Sequence, residues 1–360
     1  MILAIDLGST SFKAAVFDRE LQRLGAGACD LSYLHPTDDA SELAVDVVHD
    51  SLTAAVADAM VGAGDISAIG ITAQAQTFTV CDADGRAKRP FISWLDGRAT
   101  DAAVALAADE RLADFAGHTS FASPSPAMQV SLLAWLREAE PDLLVETDTV
   151  TQLSPYVVGL LSGAPWMDEN LAAMSGLYSM KTGDWWEPAL EACGVRREQL
   201  PRLCRLGTSP CSTDERAVAF GLEPDVPIVL AGNDQTAGAY GAAVHATGAL
   251  LITLGTSEVV YTCCDAMPAP APGVIRGVYP DRKYYGLVVI KNGEVGKAVE
   301  ALGTDPTRTE VLVAGGGSRS PERVRQLADA LGTEVTPTDT DPLLGAAGMC
   351  EDLLAQDAGS

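Results

Sequence analysis

The sequence has no apolar run long enough to cross a lipid bilayer, although 47% of its 360 residues are hydrophobic. Its first residues, Met1–Asp6, carry no basic flank and reach an acidic side chain at once, which is typical of a core strand and not of a secretion signal. The apolar residues are therefore expected to fill the cores of two globular domains of ordinary size.

Basic residues are also scarce, since 24 Lys and Arg stand against 49 Asp and Glu, which gives a formal charge of −25. Such a surface repels phosphate backbones and anionic lipids, so the composition predicts no nucleic-acid partner and no membrane partner. An anionic substrate would need a local basic patch. Two origins of the acidity remain open: adaptation to high salt, and drift in a genome that favours Ala, Asp and Arg.

The eight cysteines are scattered and form no C-x-x-C motif. Cys263 and Cys264 are adjacent, but the residues around them have no zinc-site spacing. The pattern therefore predicts reduced thiols and a cytoplasmic protein.

Short apolar runs that predict strands alternate with segments of helical periodicity, so the fold class is α/β. The runs predicted as strands are residues 1–5, 12–17, 66–72, 227–231, 249–254, 259–263 and 310–314. The segments predicted as helices are residues 46–60, 128–136, 235–243, 321–331 and 342–354.

A glycine–hydroxyl turn occurs once in each half of the chain. The first is Asp6-Leu7-Gly8-Ser9-Thr10-Ser11 and the second is Thr253-Leu254-Gly255-Thr256-Ser257, and each joins two predicted strands. Glycine lets backbone N–H groups approach phosphate oxygens closely, and hydroxyls add donors. One such turn is weak evidence, because most are only turns, but the pair predicts a duplicated domain with a ligand between the copies.

Five segments occur in a fixed order along the chain, and together they are far more specific than any one of them. They are Ile5-Asp6-Leu7-Gly8-Ser9-Thr10-Ser11 with Lys13, Trp94-Leu95-Asp96-Gly97-Arg98, Gly232-Asn233-Asp234-Gln235, Leu254-Gly255-Thr256-Ser257, and Gly315-Gly316-Gly317-Ser318. This order resembles the FGGY carbohydrate kinases, which include xylulokinase and glycerol kinase. The resemblance implies the actin-like ATPase (ribonuclease H-like) fold, with two related lobes, residues 1–243 and 244–360, and a central cleft.

The resemblance implies ATP-dependent phosphorylation of a sugar or polyol, with ATP and Mg²⁺ as cofactors. Asp234 matches the family's general base, which takes the proton from the attacking hydroxyl; Asp is also a favoured helix N-cap, and the two roles are compatible. Asp6 could orient hydrated Mg²⁺. Lys13 is either a phosphate contact or a solvated lysine at a strand end. The residues expected to bind ATP and its phosphates are Gly8, Ser9, Thr10, Ser11, Lys13, Gly255, Thr256, Ser257, Gly315, Gly316, Gly317 and Ser318.

The sugar-binding residues implied by the resemblance are Gln74, Gln76, Trp94, Asp96, Asn233 and Gln235, whereas Arg98 is expected to form a structural ion pair. An aromatic face can stack on sugar C–H groups, and a carboxylate can accept hydroxyl protons. Residues 74–77 contain neither the Arg-Glu pair of glycerol kinases nor the Met-His pair of xylulokinases. The substrate therefore stays open, with a xylulose-like ketopentose favoured, and the oligomeric state stays open, with a homodimer as one alternative.

The segment between the second turn and the glycine run, residues 258–314, is shorter than in the family and lacks the family's second signature. The missing part normally shapes the nucleotide side of the cleft, so weak nucleotide affinity is expected. The chain is then a compact active kinase, a degenerate kinase or a truncated one. The competing interpretations are a non-catalytic or regulatory nucleotide-binding relative, and another actin-like ATPase such as a chaperone, which would need an added peptide-binding domain.

Overall fold

The computed structural model describes residues 1–244, 248–254, 258–290 and 293–358. Its strands are β1 (Ile2–Leu7), β2 (Ser11–Phe17), β3 (Arg23–Asp30), β4 (Tyr33–Leu34), β5 (Glu42–Leu43), β6 (Ala68–Ala73), β7 (Phe78–Cys81), β8 (Phe91–Ile92), β9 (Thr149–Gln152), β10 (Trp166–Asp168), β11 (Tyr178–Ser179), β12 (Asp184–Trp185), β13 (Arg202–Cys204), β14 (Cys211–Ser212), β15 (Pro227–Asn233), β16 (Leu250–Leu254), β17 (Glu258–Cys264), β18 (Val274–Tyr279), β19 (Lys283–Val289), β20 (Val311–Ala314) and β21 (Thr336–Pro337).

The α-helices are α1 (Val45–Ala59), α2 (Thr100–Ala107), α3 (Phe115–His118), α4 (Gln129–Ala139), α5 (Pro141–Val145), α6 (Leu153–Ser162), α7 (Glu169–Met174), α8 (Glu187–Cys193), α9 (Asp234–Gly241), α10 (Val295–Ala301), α11 (Pro321–Leu331) and α12 (Pro342–Ala358). Short 3₁₀ segments lie at Glu110–Leu112, Arg197–Gln199, Glu215–Phe220, Pro306–Arg308 and Gly316–Arg319. Strands and helices alternate, which confirms the α/β prediction.

Two six-stranded sheets share a common core of five strands. The first has the order β14-β15-β6-β1-β2-β3, and the second has the order β18-β19-β17-β16-β20-β21. In each sheet a central hairpin, β1–β2 or β16–β17, is extended antiparallel on one side by β3 or β19, and its first strand pairs parallel with β6 or β20 on the other side. The sixth strands, β14 and β18, lie at opposite edges of this core. The duplication expected from the two glycine–hydroxyl turns is therefore present in the fold.

The sheets are buried because their strands carry almost unbroken apolar runs. All six residues of β1 and of β6 are buried, and the large first core extends from these strands to α1, α4 and α6. A five-stranded sheet, β4-β5-β8-β7-β9, adds to the first lobe, as do the two-stranded pairs β10–β13 and β11–β12. Strands buried on both faces are typical of sheets that helices cover on both sides.

The C-terminal helix α12 returns to the first sheet. Its residues Leu343, Ala346 and Cys350 share a buried cluster with Ile2 and Val229, which belong to β1 and β15. The last helix of the predicted second lobe thus supports the first sheet. Within the described residues, no helix has both the length and the apolarity needed to span a membrane.

Candidate functional site

The turn between β1 and β2 holds the first predicted group of phosphate contacts, Gly8, Ser9, Thr10 and Ser11. Tyr33 donates its hydroxyl hydrogen to the carbonyl of Ser9 at 2.7 Å, and the Leu31 amide donates to the carbonyl of Thr10 at 2.9 Å. The turn is therefore fixed from outside by the chain that follows β3. Lys13 is exposed on β2 and stands opposite Asp6 in the strand register.

Asp6 lies near the end of β1 and is 5% exposed. Burial, and next the charge of Asp234, raise its pKa to about 7, whereas Lys13 acts in the opposite direction. Its Oδ1 atom is buried without a hydrogen-bond partner in the described part of the chain. A buried carboxylate oxygen with no donor is costly, and a cation would satisfy it.

This oxygen fits Mg²⁺ better than a metal enclosed by protein ligands. Among the described residues, no group of three or more His, Cys, Asp or Glu side chains could hold a metal ion. Mg²⁺ commonly keeps several waters and uses one or two carboxylates together with substrate phosphates. A single buried carboxylate at the phosphate turn suits that mode of binding.

Asp234 stands where β15 gives way to α9. Gly232 has a φ of +72°, and the register between β15 and β6 shifts between Leu230 and Asn233, so the strand bends before the helix begins. The N-cap is Asn233, whose Oδ1 accepts from the Thr236 amide at 3.0 Å. The cap considered for Asp234 is thus wrong, because Asn233 holds the N-cap position and Asp234 is the first residue of the helix.

Both hydrogen bonds that described residues donate to the carboxylate of Asp234 end on the same oxygen, Oδ1. Its Oδ1 accepts from its neighbours, the amide of Gln235 at 2.8 Å and Nδ2 of Asn233 at 3.2 Å. Removal from solvent raises the pKa of Asp234, and Lys13 lowers it. Since the charges of Asp234 and Lys13 both act on Asp6, the three groups lie close enough to form one electrostatic cluster.

Asn170, in α7, is a positioning residue that the sequence interpretation missed. It is fully buried; its Oδ1 accepts from the Asn233 amide at 3.0 Å, and its Nδ2 donates to Thr236 Oγ1 at 3.1 Å. The same Nδ2 donates to the carbonyl of Val278 in β18 at 2.8 Å. One side chain therefore joins the start of α9 to the second lobe, a contact between distant segments that no local motif encodes.

A cavity of about 330 Å³ lies between the lobes beside Asp234. From the first lobe it is lined by Ser9 of the phosphate turn and by six of the predicted substrate or catalytic residues, Gln74, Gln76, Trp94, Asn233, Asp234 and Gln235. From the second lobe it is lined by residues of β17, β18 and β19. The structure thus brings most of the predicted substrate residues to one place.

Gln74 and Gln76 reach this cavity, but their amides are bound to protein. Gln74 donates from Nε2 to the carbonyl of Gly8 at 3.1 Å and accepts from Thr77 Oγ1 at 3.0 Å. Gln76 donates to the Met174 carbonyl and accepts from the Gln129 amide at 2.8 Å. Its φ of +73°, rare for a residue with a side chain, holds it in this arrangement.

Asp96 does not line the cavity. Its oxygens accept from the Ser41 amide at 2.9 Å and from the guanidinium of Arg98, and the residue is 2% exposed. Arg98 also pairs with Glu42 and lies 4.3 Å over the ring of Trp135, which confirms its predicted structural ion pair. Trp94, by contrast, is 39% exposed and lines the cavity.

The glycine run Gly315–Ser318 forms a tight turn after β20. Gly315 has a φ of +83°, and a Cβ there would lie 2.7 Å from the carbonyl oxygen of Leu254. Gly316 has open space around it, and Ser318 donates from Oγ to the Gly315 carbonyl at 2.7 Å. A cavity of about 150 Å³, lined by Leu254, Arg323 and Gln326 among others, adjoins it. Gly255, Thr256 and Ser257 lie outside the described residues.

Most of the cavity residues that the sequence did not indicate are apolar, among them Phe121, Met128, Met174, Ile275, Leu287 and Val289, whereas Ser125 and Tyr285 carry hydroxyl groups. Phe121 lies in a loop. Ile275, Leu287 and Val289 lie in β18 and β19, whose sequences have the alternation of any half-buried strand and therefore give no signal of a binding site. Only the packing of the two lobes brings them to the cavity.

Comparison with known proteins agrees with this geometry. The sequence signature described as "FGGY family of carbohydrate kinases, N-terminal domain" matches residues 1–241. The chain is 29% identical over 201 residues to a xylulose kinase of Escherichia coli strain K12, covering 55% of this chain and 40% of that protein. It is 28% identical over 270 residues to a glycerol kinase of Allorhizobium ampelinum, covering 71% and 52%. The chain spans about half the length of the curated relatives it matches.

Solved structures show the same fold at low identity. A xylulose kinase from Rhodospirillum rubrum superposes with a TM-score of 0.88 at 16% identity, covering 98% of this chain and 89% of that one. A kinase from Brucella ovis gives 0.86 at 19% identity, covering 98% and 90%. These neighbours confirm the predicted actin-like fold. Since the family signature covers well over half of the chain, the protein belongs to the FGGY family of carbohydrate kinases.

Proposed function

We propose that this protein transfers the γ-phosphoryl group of ATP to a hydroxyl of a small sugar or polyol, with Asp234 as the general base. The observation that supports this most directly is the position of Asp234: it lines the interlobe cavity, and its charge acts on the buried carboxylate of Asp6. The proposed base thus lines a substrate-sized space, and the buried carboxylate of Asp6, the proposed site for the cation, lies within its electrostatic reach.

Mg-ATP, when bound, supplies the phosphoryl group and neutralises charge that develops on it. In this proposal Asp6 holds the hydrated cation, and the segments Gly8–Ser11, Gly255–Ser257 and Gly315–Ser318 hold the phosphates with Lys13. Asp234 accepts the hydroxyl proton as the oxygen attacks, and Asn170 and Asn233 keep its helix in place. Proton transfer to a positioned base typically contributes about 10²- to 10⁴-fold to the rate.

The first acceptor to test is a xylulose-like ketopentose, because xylulose kinases are among both the sequence relatives and the structural neighbours. The proposed substrate residues are Gln74, Gln76, Trp94, Asn233 and Gln235. The amides of Gln74, Gln76 and Asn233 are bound to protein, so Trp94 and Gln235 are proposed as the direct contacts and the other three as residues that shape the cavity. Asp96 is assigned an indirect role, since its carboxylate is bound by Arg98. The lobes are proposed to correspond to residues 1–243 and 244–360.

A non-catalytic, nucleotide-binding role is the second candidate. It is favoured by the short path from β19 to α10 and by the small cavity, about 150 Å³, beside the Gly315 turn. Such a protein would have no use for a proton acceptor at Asp234, so the two candidates differ in turnover.

An ADP-release assay against ketopentoses, pentitols, glycerol and cyclitols tests the proposal. We expect turnover with at least one acceptor, and we expect Asp234→Asn to reduce kcat by about 10²-fold or more while Mg-ATP binding, measured by calorimetry, is retained. Asp329→Asn, an exposed carboxylate on α11, is the matched control and should leave kcat unchanged. Wild-type turnover by Asp234→Asn would show that the base lies elsewhere.

A further inference from the structure

The lining of the interlobe cavity combines polar residues next to Asp234 in the chain with mainly apolar residues from other segments. This composition bears on which alcohol the cavity accepts. Gln235 follows Asp234, is exposed, and in the described part of the chain no hydrogen bond engages its side-chain amide. Ser9, in the phosphate turn, lines the same cavity. Together with the Asp234 carboxylate, these groups can hold the reacting hydroxyl and a neighbouring polar group.

The other polar side chains expected to hold a sugar are occupied by the protein. The amides of Gln74 and Gln76 have protein partners at both oxygen and nitrogen and are only 5% and 6% exposed. Asn233 accepts from the Thr236 amide and donates to Asp234. A substrate hydroxyl would have to compete with these bonds, and breaking a buried bond leaves its partner unsatisfied at a high cost.

The rest of the lining is mainly apolar and continues beyond the cavity. Phe121, Ile275 and Val289 also line an adjoining open cavity of about 470 Å³, together with Val274, Val288 and Ile290. Val289 is 43% exposed and lines both cavities, so with Phe121 and Ile275 it joins them into one apolar surface. The apolar surface therefore extends away from Asp234 with room for a non-polar group.

Cations are missing from the cavity lining next to Asp234, as far as the structure describes it. The described residues that line it include no Lys, Arg or His. Lys13, whose charge acts on Asp6 and Asp234, does not line it, and Lys297 of the adjoining cavity is paired with Glu294 at 2.7 Å. An acidic sugar would therefore bring a carboxylate beside Asp234 without a counter-charge.

Resting on the proposed function, we infer that the acceptor is a neutral alcohol that is polar around its reacting hydroxyl and apolar at its far end, such as a deoxy sugar or an alkyl-bearing polyol. The polar groups near Asp234 match the first part and the surface around Val289 matches the second. A fully hydroxylated sugar of the same size would place hydroxyls against the side chains of Phe121, Ile275 and Val289, which form no hydrogen bonds.

The test compares D-xylulose with 1-deoxy-D-xylulose, which are the same at the reacting end and differ by one hydroxyl at the other. We expect kcat/KM to favour the deoxy sugar by about 10-fold or more, because a site that lacks a partner for a hydroxyl discriminates against it to that extent. An aldonate should be neither bound nor phosphorylated. Equal or better use of D-xylulose would overturn the inference and leave the kinase proposal intact.

Binding separates the two proposals if turnover is absent. Calorimetry with Asp234→Asn in the presence of Mg-ATP measures the affinity for both sugars without chemistry. Tighter binding of the deoxy sugar with no phosphorylation by the wild type would support the inferred ligand class and contradict the kinase activity. Tighter binding of D-xylulose would contradict the inference.

A pair of isosteric variants tests the location of the apolar end. Val289→Thr places a hydroxyl in the shared wall and should shift the preference toward D-xylulose by about 2- to 10-fold, the range of one net hydrogen bond. Val218→Thr makes the same change at a 56% exposed position that does not line this cavity and should leave the ratio unchanged. No difference between the two variants would contradict contact of the far end with Val289.

Discussion

At the scale of single residues, two carboxylates are buried for different purposes. Asp6, near the end of β1, interacts electrostatically with Asp234 and Lys13. Asp168 is fully buried at the start of α7, where its Oδ1 accepts from the amides of Asn170 and Leu171, each at 3.0 Å. Asp168 therefore holds in place the helix that carries Asn170 to the start of α9. Its carboxylate has a structural role and does not line the interlobe cavity.

Asp168 should give the protein a pH-dependent stability. Burial raises its pKa to about 6, above the usual value of 3.8, despite the two amide donors. The folded state thus binds a proton more tightly than the unfolded state, so the stabilisation is complete below about pH 4 and is lost as pH rises to about 6. Asp168→Asn, which keeps an N-cap side chain, should remove this slope.

The measurement is the free energy of unfolding from urea titrations between pH 4 and pH 8. Relative to the wild type, Asp168→Asn should gain stability as pH rises. Asp142→Asn, at an exposed position on α5, should track the wild type throughout. A constant difference between Asp168→Asn and the wild type at all pH values would contradict the prediction.

At the scale of elements, two neighbouring glycines in the turn after β20 should differ in how well they tolerate a side chain. Gly315→Ala should lower stability by about 1–3 kcal/mol, because its φ of +83° strains any side chain and its Cβ would meet the Leu254 carbonyl. A Cβ on Gly316 would have no neighbour within 4 Å, so Gly316→Ala should leave the free energy of unfolding nearly unchanged. Thermal unfolding of both variants tests this, and equal melting temperatures would contradict it.

The helix that begins with Asp234 depends on close contact with α12. A Cβ on Gly345 would collide with the carbonyl of Ala237 in α9, and a Cβ on Gly241 would lie 2.8 Å from the Gly345 amide nitrogen. Gly345→Ala should therefore push the helices apart, lower the melting temperature and reduce kcat through displacement of Asp234.

Gly348→Ala, one turn later on the same helix, is the control. Its nearest neighbour is a flexible ring atom of Tyr240 at 3.3 Å, so the variant should be neutral or slightly more stable. The paired measurement is melting temperature and kcat for both variants. Parallel behaviour of Gly345→Ala and Gly348→Ala would show that the helix contact does not position the base.

At the scale of the whole molecule, the two lobes are joined by polar contacts to one strand. Besides the bond from Asn170 to Val278, the Arg276 amide donates to the Ser120 carbonyl at 3.1 Å, and its guanidinium donates to the carbonyl of Ala116. These contacts tie β18 to the first lobe. The cavity wall formed by β18 and β19 is thereby fixed relative to Asp234.

The net charge of −25 should oppose folding at low ionic strength. Salt screens the repulsion among exposed carboxylates, so the melting temperature should rise between about 10 mM and 1 M NaCl. Sodium chloride is compared with sucrose, which stabilises by exclusion without screening. A melting temperature that does not change with salt would indicate that the acidity is compositional and energetically neutral.

The central strands of both six-stranded sheets, five of the helices and the family followed from the sequence, because their signals are local. Apolar runs predicted β1, β2 and β16, helical periodicity predicted α11 as residues 321–331, and the repeated glycine–hydroxyl turn predicted two lobes of one topology. The position of Asp234 at the start of a helix was predicted for the same reason, since a glycine, a polar run and a helix start occupy consecutive positions.

The tertiary structure alone decided which polar groups remain available. Nothing local distinguishes Asp96, bound by Arg98, or Gln76, bound at both ends of its amide, from a side chain open to substrate. The N-cap at Asn233, the support from Asn170 and the apolar wall at Val289 likewise depend on segments far apart in the chain. Hydrogen-bond partners and cavity walls are set by how the lobes pack, and that packing is a property of the whole chain.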